Sequence, residues 1–457
     1  MTTLKDNFFW GNSTSSMQTE GGWNEGGKGL SVYDVRPATE KTTDWHVAID
    51  NFHDFDTDLD LMKEMGMNMY RFQISWSRVV PNGDGEFNEG GIEFYSRLID
   101  GLIRRGIEPM VCLYHFDMPL ALAEKYNGFL SRHVVDAFVR FSEEMIRRFS
   151  NRVKYWIVFN EHNLYFGPEA YTIAGYESGE KTLSELYTIF HHTVLAHCQI
   201  SDFIHQSYED VRIGGMLAHT EVYPASTSPV DNLAVRRFEE FLTYNLCDVY
   251  AWGHYSEAVL TFVKNHSIDM DWQEGDEKIL KRGISDFISF SYYRSCLLDA
   301  SKITENDSPN HYFEIGMKSD LSLPANEWGW TVDSVGFRNI ISRLYSRYGL
   351  PVFPIENGIG QRENWDGINT IQDDVRIEYH KAHIQALKDA VELDGTEVLG
   401  YLGWGLIDIP SSHADMEKRY GAVYVNRGNH DLRDMKRAKK KSFGWFQRAF
   451  KSNGEKI

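Results

Sequence analysis

Short apolar, β-rich runs alternate with stretches of helical period along the whole chain. The strand-like runs fall near Phe8–Gly11, Asn68–Ser75, Glu108–Tyr114, Tyr155–Phe159, Val211–Leu217, Phe287–Tyr293, Pro351–Ile355 and Val398–Trp404. Between them apolar residues recur three and four positions apart, as in Phe55, Leu59 and Met62 or Val134, Phe138, Phe141 and Met145. That spacing is the buried stripe of an amphipathic helix. Strand and helix alternating eight times predicts a parallel sheet with crossovers, and eight such units close into a barrel. The expected fold class is α/β, a single (β/α)8 TIM barrel, with residues 1–457 as one domain. The longest stretches between strands, roughly 165–210 and 218–285, are expected to carry loops at the barrel mouth. Pro354 lies inside the seventh run and has no N–H for the ladder, so a local irregularity is expected there.

Two of the runs lead directly into a carboxylate. Tyr155–Phe159 is followed by Asn160-Glu161, and Pro351–Ile355 by Glu356-Asn357-Gly358. Barrel active sites lie at the carboxyl ends of the strands. Two carboxylates meeting there are the minimum machinery for cleaving a glycosidic bond. One protonates the leaving oxygen, and the other attacks or stabilises the sugar cation from the opposite face. A solvated or arginine-paired glutamate is the plain alternative for either residue alone. Other polar groups end strands on the same face: Gln18 and Glu20 after the first run, Arg71 on the second and His115 after the third. Tyr292 and Tyr293 end the sixth, and Trp404 ends the eighth. Each alone could be a satisfied core residue, but five of eight strands delivering such groups to one end, beside the two that carry the glutamates, is hard to explain by packing.

Composition narrows the partners. The 12 Trp and 24 Tyr supply aromatic faces suited to the apolar C–H face of a pyranose. A net charge of −19 argues against nucleic acid or an anionic membrane, so an anion could bind only in a local cationic pocket. Cys112, Cys198, Cys247 and Cys296 are widely spaced and form no CxxC. Reduced, buried thiols are expected, with no metal site and no cofactor. Residues Met1 to Trp10 lack a charged segment followed by an apolar one, and no stretch of 18 apolar residues occurs, so the cytoplasm is the expected compartment. The basic run Lys436–Lys441, followed by Phe443, Trp445, Phe446 and Phe450, reads as a last barrel helix with a solvated charged face rather than a membrane-surface helix.

In order and spacing, seven segments resemble glycoside hydrolase family 1, the β-glucosidase-like barrels, over essentially the whole chain. They are Gln18–Gly22 (QTEGG), Tyr70–Arg78 (YRFQISWSR), Tyr114–Pro119 (YHFDMP), Phe159–Glu161 (FNE), Ser291–Tyr293 (SYY), Glu356–Gly358 (ENG) and Gly400–Tyr420. The resemblance implies that Glu161 is the acid/base and Glu356 the nucleophile of a retaining double displacement. It implies that Gln18, His115, Asn160 and Trp404 hold sugar hydroxyls, with Asn160 on the 2-hydroxyl. Arg71 and Tyr293 would bond Glu356, lower its pKa and keep it ionised. The charge of Glu356 would in turn keep Glu161 protonated. Ser291 stands where many relatives have Asn.

The last strand distinguishes a branch of that family. Ordinary family 1 β-glucosidases carry a Glu shortly after the Trp-Ser turn, on the 4- and 6-hydroxyls. Here Trp404 to Ser412 contains no Glu, and Lys418-Arg419-Tyr420-Gly421 follows. The Ser411…Lys418-x-Tyr420 pattern resembles the phosphate loop of the 6-phospho-β-glycosidases. A carboxylate there would repel a phosphate dianion, whereas a hydroxyl, an ammonium and a phenol supply donors. Galacto-preferring members have Trp immediately after the loop serine. Ser412 stands there, which implies a glucose 6-phosphate unit. The implied partner is a small-molecule 6-phosphorylated β-glycoside, hydrolysed by a single catalytic domain to glucose 6-phosphate and an aglycone. A 6-phospho-β-galactosidase or dual-specificity enzyme is the alternative. An ordinary β-glucosidase, a silent sugar-phosphate-binding barrel and a transglycosylase are further rivals. Nothing in the chain sets the aglycone or decides between a monomer and a homo-oligomer.

Overall fold

The eight runs fold as eight strands in a computed structural model that describes residues 4–320 and 322–457. They are β1 (Phe9–Ser13), β2 (Met69–Gln73), β3 (Glu108–Tyr114), β4 (Tyr155–Phe159), β5 (Arg212–Pro224), β6 (Phe287–Leu298), β7 (Val352–Asn357) and β8 (Gly400–Trp404). Successive strands pair in parallel from β1 to β7, and β8 pairs with β1. The ring closes between β7 and β8 at its base. There Val352 bridges Val398, with the Val352 N–H on the Glu397 carbonyl at 2.9 Å and the Leu399 N–H on the Val352 carbonyl at 3.0 Å.

The helical stripes behave as their spacing predicts. Asp56–Met65 buries Leu59 and Met62, and Arg132–Phe149 buries Val134, Phe138, Phe141 and Met145. Inside the barrel, Met69, Met110, Cys112, Ile157, Met216, Phe287, Phe353, Ile355 and Leu402 form a separate apolar plug, packed by Phe9 and Tyr155 at the strands' amino ends. Filling the lower barrel this way leaves only its upper end for chemistry. All four cysteines are buried free thiols.

Pro354 produces the expected irregularity, and the irregularity has a use. The β6–β7 register runs Phe290 to Pro354 and then Ser291 to Glu356, so one extra residue is accommodated at Ile355. Phe353 and Ile355 both join the interior plug. The inserted residue advances the alternation by one, so Glu356 rather than Asn357 next faces the barrel axis.

Two expectations are refined. The stretch 165–210 carries an irregular segment at 174–182 and then a long helix: Leu183–Ser207 runs 25 residues from a capping box between Thr182 and Glu185. A strand ribbon helps to wall the mouth as well. Beyond an irregularity between His219 and Glu221, β5 and β6 continue paired from Glu221–Ser295 to Pro224–Leu298. Val222 and Tyr223 opposite Cys296 and Leu297 supply the β-forming, half-buried surface that extends both strands. The basic run is a solvated face only in part, since Lys436, Lys439 and Lys441 are exposed while Lys440 is buried. Arg437–Lys439 forms a strand on Val423–Val425, and Lys441–Lys451 is a helix burying Phe443, Trp445, Phe446 and Phe450. All of the run's cations but Lys436 are paired: Arg437 with Asp58 at 2.8 Å, Lys439 with Glu64 at 2.5 Å and Lys441 with Asp374 at 2.6 Å, among the described residues. Lys440 is fully buried between Asp408, at 2.9 Å, and Glu363. In a chain with 66 carboxylates, cations find counter-charges, and a buried one needs them.

Candidate active site

The upper barrel is organised around Arg71, which β2 carries inward and which is completely buried. One guanidinium nitrogen donates to Ser13 Oγ at 3.0 Å and to Glu356 Oε1 at 2.5 Å. The other donates to Asn160 Oδ1 at 2.6 Å and touches Cys112 Sγ at 3.3 Å and Met216 Sδ at 3.4 Å. Glu356 Oε2 accepts from the Tyr293 hydroxyl at 2.8 Å. The next residue locks the strand end, since Asn357 donates to the Tyr292 carbonyl at 2.6 Å and accepts from Tyr401 at 2.6 Å. Both oxygens of Glu356 are therefore held by protein donors on a rigid strand.

Glu161 sits differently. The Asn160 N–H still joins the sheet, on the Tyr114 carbonyl at 2.8 Å. Glu161 then turns at φ 44°, ψ 52° into the 3-10 segment His162–Phe166. A side chain in the left-handed region costs roughly 1–2 kcal/mol, and such strain is tolerated where surrounding structure fixes it. Phe116, after β3, makes a similar turn at φ 72°. The Glu161 carboxylate accepts from Ser291 Oγ, and Ser291 is the register partner of Glu356 on the neighbouring strand. Through β6 the two carboxyl groups are thus supported by one short segment, Ser291 to Tyr293.

Their proton affinities separate. Burial pushes Glu161 up to about 8, and the negative charge of Glu356 adds to the rise. Burial also holds Glu356 above the usual carboxylate range, opposed by Arg71 and then Tyr293. This corrects the expectation that the cation and phenol leave Glu356 below its ordinary value, because desolvation outweighs both. What they achieve is order: Glu356 ionises first, and its charge keeps the proton on Glu161.

The remaining candidates surround this pair. His115 is buried, its Nδ1 has no hydrogen-bond partner among the described residues, and its ring lies 5.8 Å from that of Trp404. Burial, reinforced by the charge of Arg71, holds the imidazole neutral, with its pKa well below the ordinary histidine value. It therefore offers one donor and one acceptor. Gln18 accepts from Ser15 Oγ at 2.5 Å and donates to the Pro410 carbonyl at 2.7 Å, tying the first strand's loop to the last. Glu20 is a brace: it accepts from Arg78 Nε at 2.8 Å and from the Tyr95 hydroxyl at 2.6 Å. Among the described residues no group of three or more His, Cys, Asp or Glu side chains converges to hold a metal.

Beside Glu356 lies the loop that follows β8. Ser411 is buried, and its Oγ accepts the Asp415 N–H at 3.2 Å and the His413 N–H at 3.4 Å, which leaves its own hydrogen to donate. Lys418, Arg419 and Tyr420 alternate. Arg419 turns inward to Asp408 at 3.1 Å, whereas Lys418 lies against aromatic rings. The Lys418 ammonium is 3.5 Å from the Trp330 ring centroid and 5.0 Å from that of Trp328. It has no ion-pair partner among the described residues, and burial and then the charge of Arg294 lower it to about 8. Tyr420 packs edge-on against Tyr293, centroids 6.1 Å apart. Two glycines after Glu356 make this approach possible: a Cβ on Gly358 would come within 3.2 Å of the Tyr420 ring, and one on Gly360 within 2.8 Å of the Lys418 chain. Ser412 is exposed, with its Oγ 3.2 Å from His413 Nδ1. Sequence reasoning missed Trp328 and Trp330. The available signal was two indoles flanking Gly329 in an otherwise polar stretch.

The chain matches the model of glycosyl hydrolase family 1 over residues 1–455. It is 36% identical to the aryl-phospho-β-D-glucosidase BglC of Bacillus subtilis (strain 168), over 98% of each chain. It is 37% identical to a 6-phospho-β-glucosidase of Clostridium longisporum, again over 98% of both. Among solved structures, a β-glucosidase from Thermotoga maritima in complex with glucoimidazole superposes with a TM-score of 0.86 at 28% identity, covering 99% of each chain. The chain belongs to glycosyl hydrolase family 1 and is a glycoside hydrolase.

The coupling between the carboxylates is testable without turnover. In Glu356→Gln the negative charge beside Glu161 is gone, so the Glu161 titration seen by carbon-13 NMR should move below about 8. The same proton also links to stability. The folded chain keeps it up to about pH 8 while an unfolded Glu releases it near pH 4.5, so stability should fall as pH rises across that window. Glu161→Gln should flatten that slope in urea denaturation. An unchanged Glu161 titration in Glu356→Gln would mean the two groups do not interact, and an unchanged slope in Glu161→Gln would mean that another group sets it.

Proposed function

We propose that this chain hydrolyses 6-phospho-β-D-glucosides to glucose 6-phosphate and an aglycone, with retention of configuration, as one catalytic domain. The observation that carries the reading is Lys418: a buried ammonium that forms no ion pair among the described residues, Asp415 acting on it only at longer range, 5.8 Å from the Tyr420 ring centroid at the rim of a two-carboxylate site. A charge held that way needs an anion from outside, and a sugar 6-phosphate brings one to the right end of a pyranose. The names of the Bacillus and Clostridium relatives support the same substrate class.

In this reading Glu356 is the nucleophile. Arg71 and Tyr293 aim its oxygens and stabilise the ionised form. Glu161 protonates the leaving oxygen, and burial favours the acid form that step requires. Once Glu356 is esterified to the anomeric carbon its charge is lost, and the pKa of Glu161 drops. Glu161 then becomes the base that takes a proton from the attacking water. Asn160 gives its carbonyl oxygen to Arg71, which leaves its amide hydrogens for the 2-hydroxyl. His115, Gln18 and Trp404 are assigned to the other ring hydroxyls. Ser411, Lys418 and Tyr420 are assigned to the phosphate, with Ser412 beside them at O4. The cytoplasm is the compartment this reading fits, since it needs a substrate already phosphorylated.

Glu356→Ala should lower kcat by about 10,000-fold or more, with partial rescue by azide or formate in the vacated space. Glu161→Gln should slow poor leaving groups by about 100- to 10,000-fold and activated aryl groups far less. Product of inverted configuration by NMR would remove the double displacement. For the phosphate, Lys418→Ala should cost roughly 2–4 kcal/mol in kcat/KM on p-nitrophenyl β-glucoside 6-phosphate, mainly through KM. The unphosphorylated analogue should lose much less; equal losses would make Lys418 structural. For the sugar, Ser412 offers an axial 4-hydroxyl neither an indole donor nor an apolar wall. The gluco substrate should therefore exceed the galacto epimer in kcat/KM by about 1–3 kcal/mol, and a preference for the galactoside would overturn that assignment.

A further inference from the structure

We propose that Arg294 is a second cation of the phosphate site, binding the substrate's 6-phosphate alongside Lys418; this rests on the 6-phosphoglucoside reading above. Arg294 follows Tyr293 on β6, half-buried near the mouth. Its guanidinium lies 5.3 Å from the Trp330 ring centroid and 5.7 Å from that of Phe313. Among the described residues it has no hydrogen bond and no ion pair. Lys418 Nζ lies 3.5 Å from the same Trp330 ring. The two charges are close enough for Arg294 to depress the Lys418 ammonium.

Cation–π attraction accounts for one of these cations, not for the pair. A single cation on an indole gains roughly 0.5–2 kcal/mol, but two on one ring repel each other in a partly dehydrated place. The neighbouring Trp328 shows how the protein treats a cation that has no outside ligand to meet. Arg362 lies 5.2 Å from that ring and is neutralised by Glu327 at 3.0 Å. In a chain of net charge −19 the lack of a paired carboxylate at Arg294 and Lys418 among the described residues, with Asp415 acting on Lys418 only at longer range, is not for want of supply. A phosphate dianion bound by both turns their repulsion into joint attraction.

The ring they share is held in place. Asn326 Oδ1 accepts the N–H groups of Trp328 and Trp330, each at 3.0 Å. Thr331 Oγ1 donates to the Ser295 carbonyl at 2.6 Å and accepts the Ser295 N–H at 3.1 Å. Because Ser295 adjoins Arg294, this clamp fixes Trp330 relative to the arginine. The chemistry is complementary: a planar guanidinium can present two N–H groups to two phosphate oxygens, whereas Lys418 acts as a point charge.

The test compares kcat/KM for p-nitrophenyl β-glucoside with and without the 6-phosphate in Arg294→Met, Arg294→Lys and Lys418→Met. Methionine keeps an unbranched chain against Trp330 and Phe313 while removing the charge. The phosphorylated-to-unphosphorylated ratio should fall about 10- to 100-fold in Arg294→Met, through KM, and recover in part in Arg294→Lys. On the phosphorylated substrate, kcat/KM should also become less sensitive to ionic strength. Equal losses on both substrates, or an unchanged ratio, would overturn the assignment and leave Arg294 as packing. If Lys418→Met collapses the ratio and Arg294→Met does not, this inference fails and the phosphate reading stands. If neither changes it, the phosphate reading itself fails. Should Arg294→Met not fold, Arg294→Gln serves the same comparison.

Discussion

A guanidinium that no water reaches sits where most of the strands converge, and much of the upper barrel is arranged to satisfy it. Removing such a charge from water costs several kcal/mol before any partner is found. Arg71 recovers this from β1 through Ser13, from β7 through Glu356 and from the end of β4 through Asn160. The soft sulfur atoms of Cys112 on β3 and Met216 on β5 add two weaker contacts, while Nε has no partner among the described residues. Five strands therefore meet at one side chain. The carboxylate assigned to the chemistry is also the counter-ion of the fold, which is why Glu356 can be both buried and ionised.

That single pairing sets the difference between the two glutamates. Glu356 has two fixed donors and a strand beneath it, whereas Glu161 has one hydroxyl partner and a strained turn. Burial acts on both in the same direction, and only Glu356 has Arg71 at hydrogen-bond distance. The bulge at Ile355 makes the pairing possible, because an unbroken alternation would have turned Glu356 away from the axis.

Much of this was legible in the chain. Strands β3 and β4 begin and end where their apolar runs do, and the residues named for the sugar and phosphate are gathered at the carboxyl ends of the strands. Pro354 announced the bulge because a missing N–H is a local property. What escaped notice depends on partners distant in sequence. The continuation of β5 past Leu217 depends on β6 lying beside it, and the burial of Lys440 on Asp408 and Glu363 arriving from elsewhere. Trp330 matters only because a loop pinned to Ser295 brings it under Lys418. The net rise of Glu356 could not be read from its neighbours' identities, since it follows from how completely water is excluded.

The left-handed turn at Glu161 has a consequence for how this barrel can evolve. Glycine adopts that conformation without a Cβ penalty, and it would also remove a buried acid from the site. Both changes favour the folded state, so with Glu161 as the acid/base assigned above, Glu161→Gly would make a sturdier barrel and an idle one. Heat tolerance and turnover therefore pull in opposite directions at this codon. A lineage, or a laboratory screen, that rewarded robustness alone would drift toward a well-folded barrel with no chemistry left.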